Sequence, residues 1–319
     1  MALVEVNASR FKVPYSWVNG KTYTNVSSLD IFRGAMSVGA SDNLDLLAYG
    51  WRYLGAQFFQ SLVTGLLVTS INGELITSSA FENKIQTEKA TATYWLSMAL
   101  TKLTAERRLR VPWLCHVDRL IKKGVLIQTP GTNERGDLAG RDSQYLWHII
   151  EVKGRSLNIS QDTIEQAKRQ ASKLTDVSGK LPATASASVV KLFRKPITID
   201  LIDPEPTPEM KISWDINDSR FFPAYYEPFV RRVNISSVKS TRIRGLQYSL
   251  AAIKELDQNL WVGLPKIIID NPQTAIDVAS TLYENEQNQE INISPDYGQR
   301  LSIGYDGILL SDGFPEVVN

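Results

Sequence analysis

The sequence predicts an α/β domain built around a mixed sheet. Three observations carry this expectation. Apolar residues recur at helical spacing across 81–108, with Ile85, Ala92, Trp95 and Ala99 on one stripe. Three strand-like segments follow, the last two joined by a short turn. A second helical segment then leads into a further strand. The chain has 319 residues, 43% hydrophobic and 22% charged, which is ordinary globular composition with material for a large core and one to three domains.

Residues 1–43 read as short strands and turns, with Asn19-Gly20 marking a hairpin. A long apolar helix is expected over 44–68, then a loop at Asn72-Gly73. After the helix at 81–108, residues 111–121 read as a strand and Gly124 as punctuation. Residues 136–141 and 146–153 read as two strands around a turn at 142–145. Ser160 suits an N-cap for a helix to 174, with Ile164, Ala167, Ala171 and Leu174 facing the core. Gly179 ends that unit, and 185–193 and 197–202 read as strands. Pro204, Pro206 and Pro208 form the strongest linker signal in the chain. Beyond them come aromatic and basic residues, helices near 246–256 and 272–284, and a hairpin over 300–310. Three stretches result: an N-terminal extension (1–80), a central unit (81–205) and a C-terminal α/β region (206–319).

Net charge is +1, but it is unevenly spread. Residues 270–319 hold nine acids and one base, a net of −8, so the remainder carries +9. The basic majority could face a polyanion, while the acidic end could dock a partner or shield a basic cleft. A lone cysteine, Cys115, excludes an intrachain disulfide and fits a reducing, cytoplasmic setting. No secretory leader is read at the start. Residues 53–73 run 21 positions without a charge, enough to span a bilayer, yet Gln57, Gln60, Ser61 and Thr64 favour a buried core helix and no membrane partner. No phosphate-cradling glycine loop with a following Lys-Ser/Thr is present, which argues against an ATP motor in this chain.

The chemistry concentrates at Glu151-Val152-Lys153, which closes the apolar run Tyr145-Leu146-Trp147-His148-Ile149-Ile150. Alternation along a strand puts Glu151 and Lys153 on one face. Charges at the tip of an apolar strand call for pairing or a metal. Pairing Arg141 with Leu146 places Asp137 opposite Ile150, one position from Glu151. Two carboxylates suffice to hold Mg²⁺ with substrate phosphate, and a lysine can orient the attacking water. Asp142, nine residues before Glu151 and about 30 Å away along an extended strand, is excluded as a shared ligand and reads as a turn former.

These residues, Gly136-Asp137 … Glu151-Val152-Lys153-Gly154 followed by a helix, resemble the PD-(D/E)xK nuclease superfamily. The order helix, three-stranded meander, helix, strand is similar to the restriction-endonuclease-like core, here with N- and C-terminal additions, over 81–202. The resemblance implies an endonuclease that hydrolyses DNA phosphodiesters with Mg²⁺, or Mn²⁺ in its place. It further implies that Asp137 and Glu151 hold the metal and that Lys153 assists the water. Many members add a glutamate from the first helix, for which Glu88 matches best. Many also add a glutamine or lysine on the helix after the motif, matching Gln166 and Gln170, which share a face away from Lys168. The chain departs from the pattern at Gly136, where the family usually has proline.

Plainer readings stand beside each of these. Acid-x-lysine also occurs at Glu82-Asn83-Lys84 and Glu209-Met210-Lys211 without a strand context. Glu151 and Lys153 could be a surface ion pair, and Glu88 a solvated partner of Lys84. His148 and His116 read as packing and sheet residues, too few with Cys115 for zinc. Residues 102–123 carry seven bases against two acids, and 217–250 carry six against two. In the second region Arg220, Arg231, Arg232, Arg242 and Arg244 interleave with Phe221, Phe222, Tyr225, Tyr226 and Phe229. That mixture suits nucleic-acid binding or, equally, core aromatics beside a solvated face. Three functional classes follow: a DNA nuclease, cutting as a homodimer if both strands are cleaved; a non-cleaving nucleic-acid-binding or scaffolding subunit; and a component of a bacterial defence or mobile-element system that works only with a protein partner such as a helicase or ATPase.

Overall fold

The computed structural model describes residues 1–38, 65–128, 136–157, 160–172, 174–193, 196–204, 212–235, 238–253, 260–288 and 300–315. The N-terminal stretch forms β1 (Ala2–Ser9), β2 (Gly20–Val26), α1 (Ser28–Val38), β3 (Leu67–Thr69) and β4 (Leu75–Thr77). The middle forms α2 (Ser79–Glu82), α3 (Gln86–Thr104), β5 (Trp113–His116), α4 (Val117–Lys122), β6 (Leu126–Gln128), β7 (Leu138–Arg141) and β8 (Trp147–Arg155). It continues with α5 (Gln161–Ser172), β9 (Leu174–Val177), β10 (Thr184–Lys191) and β11 (Thr198–Ile202). The remainder forms β12 (Ile212–Ile216), α6 (Asp218–Ile235), β13 (Val238–Ile243), β14 (Leu246–Ala252), β15 (Leu260–Pro265), α7 (Lys266–Asp270), α8 (Ala275–Asn288), β16 (Arg300–Ile303) and β17 (Leu309–Asp312).

A seven-stranded sheet in the order β2-β1-β11-β10-β8-β7-β5 organises these elements. Strands β5, β7 and β8 form an antiparallel meander. Strand β10 then joins β8 in parallel, and β1 joins β11 in parallel, so the sheet is mixed. A parallel neighbour cannot be reached by a tight turn, and α5 supplies the crossover from β8 to β10. A five-stranded antiparallel sheet, β13-β14-β15-β17-β16, holds most of the C-terminal strands. One buried apolar cluster draws on all three stretches of chain, including Val4, Phe32, Leu100, Trp113, Phe221 and Leu264.

Several local expectations change. The expected helix at 44–68 lies outside the described residues up to residue 64, and its last residues, Leu67 and Val68, are strand. Among the described residues no helix is long and apolar enough to cross a membrane. Strands β1 and β2 are antiparallel as read, but residues 10–19 form a wide loop rather than a two-residue turn at Asn19-Gly20. The Asn19 side chain staples that loop, accepting from Phe11 N (3.0 Å) and donating to Phe11 O (2.9 Å). The helix at 81–108 breaks between α2 and α3 and ends in a π-turn over Ala105–Leu109, with Arg110 left-handed (φ 57°). The strand at 111–121 stops at His116, because the imidazole Nδ1 accepts the Asp118 N–H (3.1 Å) and caps α4. Residues 246–252 are a strand, not a helix: Leu246, Tyr248 and Leu250 pack on one apolar cluster at a period of two.

Helix α6 was invisible in the sequence for a clear reason. It contains Pro223 and Pro228, each of which removes the N–H that would bond the carbonyl four residues earlier. Both orphaned carbonyls find donors elsewhere. Gln273 Nε2 donates to Ser219 O (3.1 Å), and Arg119 Nη2 donates to Ala224 O (2.8 Å).

Where α1, α3, α6 and the β16–β17 turn meet, a charged cluster is buried. Arg33 grips Glu106 with both terminal nitrogens (3.1 Å each) and lies 3.6 Å from Asp306. Lys102 Nζ bridges Glu106 and Asp306 (3.2 Å each). Tyr225 donates to Asp306 Oδ2 (2.7 Å), and Ser302 links Arg33 Nε (3.0 Å) to Asp30 (2.7 Å). Burial pushes the Glu106 carboxyl up, but Arg33 and Lys102 outweigh it and hold the group at about 2 against an ordinary 4.5. Its stabilisation is therefore complete above pH 4.5 and is lost as pH falls toward 2. Arg33→Met leaves the buried Glu106 and Asp306 to share the single charge of Lys102. It should lower the unfolding free energy by about 3–5 kcal/mol, read as a lower urea midpoint at unchanged slope.

Candidate active site

Strand β8 alternates as read. Trp147, Ile149, Glu151 and Lys153 share one face; His148, Ile150 and Val152 share the other. The register pairs Leu138 with Ile150 and Arg141 with Trp147, one residue off the expected Arg141–Leu146 pairing. The shift carries Asp137 to the position opposite Glu151 itself. Strand β7 starts at Leu138, so the Val152 N–H lies beyond its ladder, and Asp137 Oδ2 accepts that proton instead (2.8 Å). Asp137 is thereby fixed beside Glu151.

Glu151 is 2% exposed, and its Oε1 accepts from Lys153 Nζ at 2.6 Å. Its Oε2 is buried and meets no donor among the described residues. Burial, and then the charge of Asp137, push the Glu151 carboxyl from an ordinary 4.5 up to about 7. Asp137 is raised as well, by burial, with the Val152 N–H and Lys153 opposing. Two adjacent carboxylates in a desolvated corner resist ionising together when only one ammonium group is close.

That arrangement fits a divalent cation. A metal would meet the orphan oxygen of Glu151 and relieve the repulsion with Asp137. Among the described residues no group of three His, Cys, Asp or Glu could hold a metal by itself. Mg²⁺ commonly takes only one or two carboxylates and completes its shell with water and phosphate, so two suffice.

Two glycines let the surrounding elements close on this strand. A Cβ at Gly154 would stand 2.2 Å from Ser97 Oγ and 2.9 Å from Thr93 O, so α3 approaches β8 only because Gly154 has none. A Cβ at Gly136 would stand 2.7 Å from Ile149 Cγ2, which accounts for glycine rather than proline there. Helix α5 packs Ala167 and Ala171 onto Ala187 and Val189. These two strand residues pair with Glu151 and Lys153, so α5 covers the same sheet face as the charged pair.

The remaining candidates sort by position. Gln170 is half-buried on α5, with an Oε1 that is buried and meets no donor among the described residues; Gln166 is exposed. Glu88 lies on the exposed side of α3, paired with Lys84 (3.4 Å). From α3 comes Tyr94, whose phenol is raised to about 12 by burial and then by the charges of Asp137 and Asp118. Its hydroxyl lies 3.0 Å from His116 Nε2. Sequence reasoning missed this pair, since nothing local ties position 94 to position 116. Asp142 forms the turn as read, accepting the N–H groups of Gln144 and Leu146 (2.9 Å each). His148 faces away from Glu151, held by Thr184 (2.9 Å) and Asp142 (3.3 Å).

In the basic region the aromatics resolve to core. Phe221, Phe222, Tyr225, Tyr226 and Phe229 are all buried and cannot stack on bases. Arg232 is buried too, donating to Ala252 O (2.8 Å). Arg231 pairs with Glu227, while Arg220 and Arg242 are exposed and Arg244 is half-buried. Compared with family models, curated proteins and solved structures, the chain finds no match.

Because the folded-state value for Glu151 is raised, the metal-free fold binds an extra proton between pH 4.5 and 7 and loses stability as pH rises through that window. Glu151→Gln should flatten this slope and leave the variant more stable than the parent at pH 8, as read by thermal unfolding in EDTA. Gly154→Ala should lower stability by about 1–3 kcal/mol in the same assay.

Proposed function

We propose that the chain is a Mg²⁺-dependent nuclease of the restriction-endonuclease-like class acting on DNA. The observation that carries this reading is the buried, unpartnered Oε2 of Glu151 beside Asp137, with Lys153 Nζ 2.6 Å from the other carboxylate oxygen. The order of α3, the β5-β7-β8 meander, α5 and parallel β10 supports it. A plain strand-end ion pair accounts for Lys153 but not for the second carboxylate or the orphan oxygen.

On this reading Asp137 and Glu151 hold the metal, and the Val152 N–H keeps Asp137 in its rotamer. The bound ion supplies Lewis acidity toward the phosphoryl oxygens and acidifies water. Lys153, 2.6 Å from Glu151 Oε1, would orient the attacking water and balance charge as the pentacovalent phosphorus forms. Exposed Arg220 and Arg242 contribute phosphate contacts. A bacterial defence or mobile-element assembly with a helicase or ATPase partner is the setting this role suits.

Cleavage of supercoiled plasmid in Mg²⁺ tests the site. Glu151→Ala and Lys153→Ala should each cut at least about 100-fold more slowly while keeping the parent's circular dichroism; retained cleavage in both refutes it. Mg²⁺ should also raise the melting temperature more at pH 8 than at pH 5.5, since binding displaces the proton on Glu151. DNA binding without cleavage in either Mg²⁺ or Mn²⁺ would favour the non-cleaving subunit instead.

A further inference from the structure

His116 ends β5 opposite Leu138, the residue after Asp137, and the Val117 N–H donates to Asp137 O (3.0 Å); His116, its partner Tyr94 on α3 and Asp118 in the first turn of α4 have no part in the chemistry above. Their hydrogen bonds have a defined direction. A backbone N–H can only donate, so the Asp118 N–H at 3.1 Å makes His116 Nδ1 an acceptor. The Asp118 carboxylate, 3.7 Å from that nitrogen, is too far to take a proton from it. The network therefore assigns the neutral imidazole's proton to Nε2, which donates to Tyr94 Oη across 3.0 Å. Having accepted there, the phenol must direct its own proton elsewhere.

Tyr94 is placed to use that proton. It is 40% exposed, and its hydroxyl sits at the end of β5 across the ladder from Leu138, next to Asp137. Burial, and then the charges of Asp137 and Asp118, disfavour the phenolate, so the group stays a donor.

We propose that Tyr94 is a phosphate-contacting residue of this site, its hydroxyl donating to a non-bridging oxygen of the nucleic-acid backbone, and that His116 is the positioning residue that aims it. The inference rests on the nuclease reading, and its test separates the two. A hydrogen bond to a charged oxygen is worth about tenfold to a hundredfold. Tyr94→Phe should lose that factor in single-turnover plasmid cleavage, with the shape of the pH–rate profile and the Mg²⁺ dependence unchanged. His116→Ala should lose a similar factor, and the double variant no more than either single one.

The second readout is fluorescence anisotropy with a labelled DNA duplex in Ca²⁺, where no turnover is needed. Tyr94→Phe should bind at least severalfold more weakly. If the parent binds DNA but does not cut, the nuclease reading fails while this binding arm still decides the role of Tyr94. Parent-like cleavage and binding by Tyr94→Phe would overturn the inference, as would a parent that binds no DNA. Additive losses in the double variant would overturn the role of His116.

Discussion

The buried charge cluster around Arg33, Lys102, Glu106 and Asp306 is the constraint on which the arrangement of the chain depends. Its members come from α1, from α3 and the π-turn that ends it, and from the β16–β17 turn, with Tyr225 of α6 donating in. Desolvated ions tolerate little misplacement, since each must meet its counterion at hydrogen-bond distance or carry the full penalty of burial. The cluster thus ties α1, α3, α6 and the β16–β17 turn to one another at defined distances.

With α3 fixed by the cluster at its C-terminal end, the helix lies across β8 and β10. That placement sets Thr93 and Ser97 against Gly154 and Tyr94 against His116. These two charged clusters work on opposite principles. Around Glu106, opposite charges nearly balance, and its carboxyl is held low. Around Glu151, two carboxylates face one ammonium group, and both are raised. A satisfied cluster stabilises the fold; an unsatisfied one at a strand end is suited to capturing a cation.

Much of the central unit was legible in the residues. The turn at Asp142, the β7 and β8 strands, the α5 helix with Ala167 and Ala171 inward, and the nearness of Asp137 to Glu151, though not their register, follow from alternation, turn chemistry and small-residue packing. What failed did so for physical reasons. No helix is read over 218–235, since Pro223 and Pro228 ordinarily break one and the donors that repair them, Arg119 and Gln273, are distant in sequence. The segment at 246–252 carries mixed spacing, and pairing between β13 and β15 decides it. The residues at 221–229 suit a stacking surface and a core alike, and the fold places Phe221, Phe222, Tyr225, Tyr226 and Phe229 in the core.

By itself, then, the sequence determined the mixed α/β class of the central sheet, the sidedness of β8 and the identity of the acid–acid–lysine set, because these depend on local period and on charges that an apolar strand cannot hide unpaired. Tertiary structure alone decided the register that sets Asp137 opposite Glu151, the orphaning of one carboxylate oxygen, the core fate of the α6 aromatics and the meeting of Tyr94 with His116. Each of these is a contact between residues far apart in the chain, and no window of local sequence records which distant groups a folded chain brings within hydrogen-bond reach.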